Sequence, residues 1–159
     1  MGKGILMKEF NQNLQNSFAK LRPFPGASTK QLQYYVMPTL TDDSPNRIVL
    51  HAGCNDVADR NSTPEDIAKK IQELAMLCRS YGVNEVFISS IICRNNKALN
   101  EKVGRINFLL QLICQEHNFV YIDNSNITVD DLWKDGIHLV DSGKQKLSNN
   151  LLYFLNSYY

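Results

Sequence analysis

No run of basic residues appears anywhere in this sequence. Lysine and arginine together exceed aspartate and glutamate by one, 17 against 16. A chain so close to neutral exerts no strong overall pull on nucleic acid or on an anionic membrane. Long apolar runs are missing too. No segment approaches the roughly 20 apolar residues of a membrane-spanning helix. The opening stretch M-G-K-G-I-L-M-K-E-F lacks the apolar core of a secretory signal. Met1-Gly2 resembles the start of an N-myristoylation site, but Leu6 stands where serine or threonine is preferred. Cysteine is sparse: Cys54, Cys78, Cys93 and Cys114 form no C-x-x-C pair and no ligand pattern with histidine. Three of the four fall in apolar segments and read as small core hydrophobes. The expectation is a cytoplasmic protein with reduced thiols, no metal or other cofactor, and no membrane attachment. Repeats, linkers and low-complexity stretches are absent, so residues 1–159 read as one domain.

What is present alternates in type. Phe10, Leu14 and Phe18 recur four apart and predict a helix over 5–18. Lys20–Phe24 is a short strand candidate, ended by Pro23-Phe24-Pro25-Gly26. Ser28 can cap a helix with Leu32, Tyr35 and Val36 on its inner face, closed by Pro38 and the polar stretch 41–46. Ile48, Val49 and Leu50, between the turn residues 43–46 and Gly53, predict a strand buried on both faces. Thr63-Pro64-Glu65-Asp66 opens a helix whose inner stripe is Ile67, Ile71, Leu74 and Cys78, with Gly82 just past its end. Glu85–Ile92 and Phe119–Ile122 predict two more strands, separated by a helix with Leu99, Val103, Ile106, Leu110 and Ile113 on one face. Asp141 or Ser142 starts the last helix, with Leu147, Leu151, Phe154 and Leu155 inward. Alternation of this kind predicts a parallel sheet with helices on both faces.

Chemistry collects at the predicted strand ends, where open α/β sheets bind ligands. Asp135 and His138 lie three apart in a loop before the last helix. A carboxylate there can fix an imidazole's tautomer, and the imidazole can act as general base. Asn55, after the Ile48–Leu50 run, can donate its amide to a developing oxyanion, as can the backbone N–H of Gly26. Taken singly, Gly53, Asn55 and Asp56 are ordinary turn residues, and one D-x-x-H is a common pattern in loops.

The set Gly26, Gly53-x-Asn55-Asp56 and Asp135-x-x-His138, in that order, resembles the SGNH or GDSL hydrolase family. The stretches F-P-G-A-S-T-K-Q-L, I-V-L-H-A-G-C-N-D and L-W-K-D-G-I-H-L-V-D-S-G look closest to SGNH-type esterase domains of animal genomes, including those of non-LTR retroelements. The resemblance covers nearly the whole chain. It implies a flavodoxin-like three-layer α/β/α sandwich with strand order 2-1-3-4-5, and metal-free hydrolysis of carboxylic esters or acyl groups through Ser-His-Asp. In that scheme His138 is the base, Asp135 its partner, and Asn55 and Gly26 the oxyanion donors. Asp56 holds its loop by hydrogen bonds.

The chain departs from the family at its start. The nucleophile there is the serine of Gly-Asp-Ser, after the first strand. Here Gly2-Lys3-Gly4 takes that place, and Gly4, without a side chain, cannot form an acyl-enzyme. Only Met1 precedes this motif, so the expectation is an N-terminally truncated domain with the first strand missing and a gap between the second and third strands. Two origins compete: a piece of a longer protein, or a copy that has lost strand and serine. The implied function is an esterase domain that is inactive or impaired, a pseudoenzyme, whose partner would be a small-molecule ester. The alternative is a non-catalytic SGNH-like module that binds RNA or a protein. For nucleic acid the support is scattered: Lys20, Arg22, Lys30, Arg94, Lys97, Lys102 and Arg105.

Overall fold

A computed structural model describes residues 7–157; Gly2 and Gly4, compared above with Gly-Asp-Ser, lie outside the described residues. Strands β1 (Arg47–Leu50), β2 (Glu85–Ser89) and β3 (Val120–Ile122) lie side by side in that order, all parallel. The pairing runs from Arg47 opposite Glu85 to Leu50 opposite Ile88, and from Phe87 opposite Val120 to Ser89 opposite Ile122. Two long crossovers make this possible, α3 (Pro64–Ser80) and α4 (Lys97–His117). Shorter helices α1 (Met7–Asn13) and α2 (Thr29–Tyr35) precede them, and α5 (Asp141–Ser157) ends the described chain.

Alternation along the strands sorts the side chains into two cores. Ile48, Leu50, Val86, Ile88 and Tyr121 join the cluster under α2, α3 and α4. Val49, Phe87, Val120 and Ile122 join the cluster under α1 and α5. This is the three-layer α/β/α arrangement the sequence predicts.

The helix ends form where local chemistry puts them. Thr63 and Ser28 each close a capping box, with Asp66 and Gln31 respectively. Asn96 accepts the Leu99 N–H at the start of α4, and Asn118, left-handed at φ 60°, ends it.

Five local expectations need correction. Lys20–Phe24 is not a strand. In the 2-1-3-4-5 order the second strand pairs with the first, and no first strand exists among the described residues to receive its hydrogen bonds. The first helix stops at Asn13, and Phe18 stands 76% exposed. Asn11 draws the chain back instead: its side chain accepts the Ala19 N–H at 2.7 Å and donates to the Ala19 carbonyl at 3.1 Å. Pro38 does not close the α2 unit, which continues through a π-helical turn, Thr39–Asp43, and Tyr35 is exposed beside Phe24 rather than buried. β2 ends at Ser89, not Ile92, because the Asn107 side chain takes both the N–H and the carbonyl of Ile91, each at 2.9 Å. Finally, Ile48 and Val49 are only half-buried, because β1 is paired on one side only among the described residues. The thiols sort similarly: Cys78 and Cys114 are core, while Cys93 is half-buried and donates to the Ile127 carbonyl. No helix among the described residues is long and apolar enough to cross a membrane.

Candidate active site

Asn55 and Asp56 lie in the loop after β1, Asp135 and His138 in the segment between β3 and α5, and Gly26 in the loop before α2. Gly26 occupies the third position of a turn in which the Ala27 N–H returns to the Phe24 carbonyl at 3.1 Å. Its φ of 75° follows Pro25, the combination a type II turn requires. Two bonds tie this turn to the loop after β1. The Asn55 side-chain amide donates to the Ala27 carbonyl at 3.0 Å, and the Thr29 N–H donates to the Asp56 carboxylate at 3.0 Å. Asn55 therefore spends one of its two amide hydrogens on position and keeps the second. Asp56 is buried, at 5% exposure, with its carboxylate turned inward to Thr29. Gly53 sits at φ 96°, and a Cβ added there would crowd the side chains of Ile91, Ile71 and Ile67.

A turn after β3 presents the acid–imidazole pair. Residues Leu132 and Leu139 face each other as an antiparallel bridge, and the Trp133 N–H donates to the His138 carbonyl at 2.7 Å. Gly136, at φ 70°, makes the reversal between them. Within that turn the Asp135 carboxylate accepts the N–H groups of Ile137 and His138 at 2.9 and 3.0 Å, and meets His138 Nδ1 at 2.5 Å. The imidazole contact, then these backbone donors, pull the Asp135 carboxyl down to about 2. Asp135 is thus an anion at neutral pH that orients Nδ1. The ring's Nε2 edge has no partner among the described residues, and the side chain is 68% exposed.

One short segment connects the two halves. The Arg94 guanidinium donates to the Cys54 carbonyl, and the Asn95 N–H donates to the Gly136 carbonyl at 3.3 Å. Asn100 of α4 holds this segment from behind, accepting the Arg94 N–H and donating to its carbonyl, both at 2.6 Å. Contacts therefore run unbroken from Gly26 through Asn55 and Cys54 to the Asp135–His138 turn. A carboxylate-oriented imidazole can accept a proton, and an amide donor can stabilise an oxyanion.

Sequence reasoning passed over a second polar chain. His51 Nδ1 meets Ser89 Oγ at 2.8 Å, and Asn124 donates to the same oxygen at 2.8 Å and to the Ser90 carbonyl at 2.9 Å. Asn150 of α5 in turn donates to Asn124 at 3.1 Å. These bonds cross the ends of β1, β2 and β3, and burial holds the His51 imidazole down to about 4. Cys54 Sγ lies 3.7 Å from His51 Nε2, and its thiol is pushed up, chiefly by burial. No third His, Cys, Asp or Glu completes a metal-ligand group with them among the described residues. Asp131, also unremarked in the sequence, anchors the His138 turn to α5: it accepts from Lys146 at 2.8 Å, Ser142 at 2.7 Å and the Thr128 N–H at 2.9 Å. A lone His or Asp in a sequence carries no sign of such nonlocal partners.

No protein-family model and no curated protein matches the sequence. Solved structures match the fold. A catalytic mutant of Axe2, an acetylxylan esterase from Geobacillus stearothermophilus, superposes with a TM-score of 0.79 over 94% of this chain and 78% of its own, at 12% identity. A member of the lipolytic G-D-S-L family from Veillonella parvula gives 0.78 over 92% and 84%, at 16% identity. A GDSL-like lipase from Bacteroides thetaiotaomicron gives 0.77 over 87% and 75%, at 17% identity. The catalytic mutants of Axe2 replace a serine, an aspartate and a histidine, the last two three positions apart. The present chain has the SGNH-hydrolase fold.

Proposed function

We propose that this chain is an SGNH-type esterase domain that keeps its proton-handling and oxyanion groups and lacks its nucleophile. His138 is the general base, Asp135 its orienting anion, and the Asn55 amide and Gly26 N–H are the oxyanion donors. The observation that carries this reading is the 2.5 Å contact between His138 Nδ1 and Asp135, on a turn tied through Asn95 to the Asn55 loop. The same Asp-x-x-His spacing in the catalytic set of Axe2 supports it.

With a serine at position 4, Oγ would attack the ester carbonyl carbon while its proton passes to His138 Nε2. The carbonyl oxygen would take up the negative charge against Asn55 and Gly26. Collapse would expel the alcohol, which takes the proton back, and water would repeat the sequence on the acyl-enzyme. With Gly4 the remaining route is water activated by His138 directly. Enzymes stripped of triad members retain about 10³–10⁴-fold catalysis over water at most, so ester hydrolysis by the natural chain is lost or very weak.

The test compares the natural chain, Gly4→Ser, and Gly4→Ser combined with His138→Ala on a short-chain aryl ester. Turnover by Gly4→Ser alone, abolished by the second substitution, is the expected result. His138-dependent turnover by the natural chain would show that the nucleophile is not at position 4. A folded Gly4→Ser without turnover would refute the esterase reading.

A further inference from the structure

Six of the sixteen lysines and arginines among the described residues lie within ion-pair distance of a carboxylate. Lys20 and Arg22 share Asp43 at 3.5 and 3.0 Å, and Arg105 meets Glu65 at 3.1 Å. Lys146 meets Asp131 at 2.8 Å. Arg60, Arg94, Lys97 and Lys102 are four of the ten described lysines and arginines that meet no carboxylate. None has a carboxylate within ion-pair distance among the described residues; Arg94 and Lys102 donate only to backbone carbonyls, those of Cys54 and Asp59. All four line two adjoining surface depressions that share Asn96, of about 560 and 470 Å³.

Two carboxylates share those walls, Asp59 and Glu101. Asp59 is turned into its own loop, accepting from Asn61 at 3.0 Å and Ser62 at 2.8 Å. Glu101 has no partner among the described residues. Four cations against two carboxylates leave a local excess of positive charge on a chain whose net charge is +1. Asp59, on which Lys102 acts, and Glu101 offset part of that charge, and a bound anion would offset the remainder. The hydrogen-bonding inventory points the same way. Guanidinium, ammonium and amide groups supply many donors, and phosphate oxygens are acceptors. A neutral polyol would need acceptors in comparable number.

We infer that these adjoining depressions bind a small phosphate-bearing molecule, with Arg60, Arg94, Lys97 and Lys102 as its charge partners. Position gives the site its interest. Asn95, on the wall of the larger depression, hydrogen-bonds Gly136, and a Cβ added at Gly136 would lie 2.8 Å from Asn95 Cβ, so the bound ligand sits beside the His138 turn. The binding itself needs no turnover and goes beyond the esterase reading.

The experiment is a nuclear magnetic resonance titration of the natural chain with inorganic phosphate, ribose 5-phosphate, ribose, and an oligouridylate of about ten nucleotides. Phosphate and ribose 5-phosphate are expected to shift amide resonances in 58–60 and 94–102, and ribose to shift none. Lys97→Ala and Arg60→Ala should each weaken ribose 5-phosphate binding by about three- to tenfold. Glu101→Gln should tighten it severalfold by removing the one competing free carboxylate. All three side chains are exposed, so the variants should keep the thermal midpoint of the natural chain. Inorganic phosphate and ribose 5-phosphate binding with equal affinity would still support the site and show that the phosphate alone is recognised. Equal binding of ribose, insensitivity to the three substitutions, or no shift at all would overturn the inference. Binding of the oligouridylate without ribose 5-phosphate binding would overturn it in favour of a polymer surface. None of these outcomes depends on Gly4→Ser, so esterase reading and ligand site fail independently.

Discussion

The Asp56 carboxylate accepts the backbone N–H of Thr29 at 3.0 Å, joining the loop after β1 to the start of α2, 27 residues away in sequence. Both residues are buried, so that N–H has no access to water in its place. Asp56→Ala should therefore cost roughly 1–3 kcal/mol, the range for a buried donor left without its acceptor. Asp56→Asn keeps an acceptor oxygen and should cost less. Urea denaturation of the two variants checks the order. A second readout is the Thr29 amide, whose hydrogen exchange should accelerate in Asp56→Ala beyond the global loss of stability.

Gly53 gives a sharper steric test. A Cβ built there lies 2.9 Å from Ile91 Cδ1 and 3.1 Å from Ile71 Cδ1, on a backbone with φ 96°. Alanine would meet backbone strain and overpacking together, and each of these typically costs about 1–3 kcal/mol. Gly53→Ala should lose roughly 2–5 kcal/mol in chemical denaturation. Gly82→Ala shares the positive φ but has open space around it, and should lose only the strain component.

The contrast between those glycines also shows what a sequence discloses. Gly82 was legible because a helix end is a local event: the stripe from Ile67 to Cys78 stops, and a left-handed residue follows. The Thr63 and Ser28 capping boxes were legible for the same reason. Lys20–Phe24 was misread because a strand exists only with a neighbour, and nothing within those residues reveals whether the neighbour is there. β2 was read too long because its end is set by Asn107, sixteen residues beyond Ile91. In the candidate site, Asp135 and His138 share one turn and could be paired on spacing. The Arg94–Asn95 link and the His51–Ser89–Asn124 chain join separate strand ends, so only the fold brings them together.

Asp131 should matter for stability although it touches no residue of the proposed chemistry. Lys146 first, then the Thr128 N–H, with Ser142 also bonded, hold its carboxyl down to about 2, against an ordinary 3.8. A carboxyl lowered on folding adds stability that is complete above its unfolded value and is lost as pH falls through its folded value. The loss therefore belongs between about pH 4 and pH 2. Asp131→Asn should be less stable at neutral pH and show a shallower acid decline in that window. Thermal midpoints of the two proteins at several pH values between these limits measure both effects.

His51 should govern a different window. Burial lowers its imidazole from 6.5 to about 4, so the folded protein keeps it neutral where the unfolded chain protonates it. Above the ordinary value both states hold a neutral ring and pH has no effect through this group. Below it the unfolded state binds an extra proton, and stability falls until the folded ring also protonates. At about 1.4 kcal/mol per unit of difference, the loss between pH 6.5 and 4 amounts to roughly 1–3 kcal/mol. Carboxylates such as Asp131 contribute little until lower pH, so the two windows separate. In His51→Gln, a neutral amide faces Ser89, and the decline above about pH 4.5 should vanish while that below it persists. Denaturation midpoints at about pH 7, 5.5 and 4.5 distinguish the two proteins. An equal decline in His51→Gln would mean that another group titrates there, and that the polar chain across the strand ends is not what ties this fold's stability to mild acid.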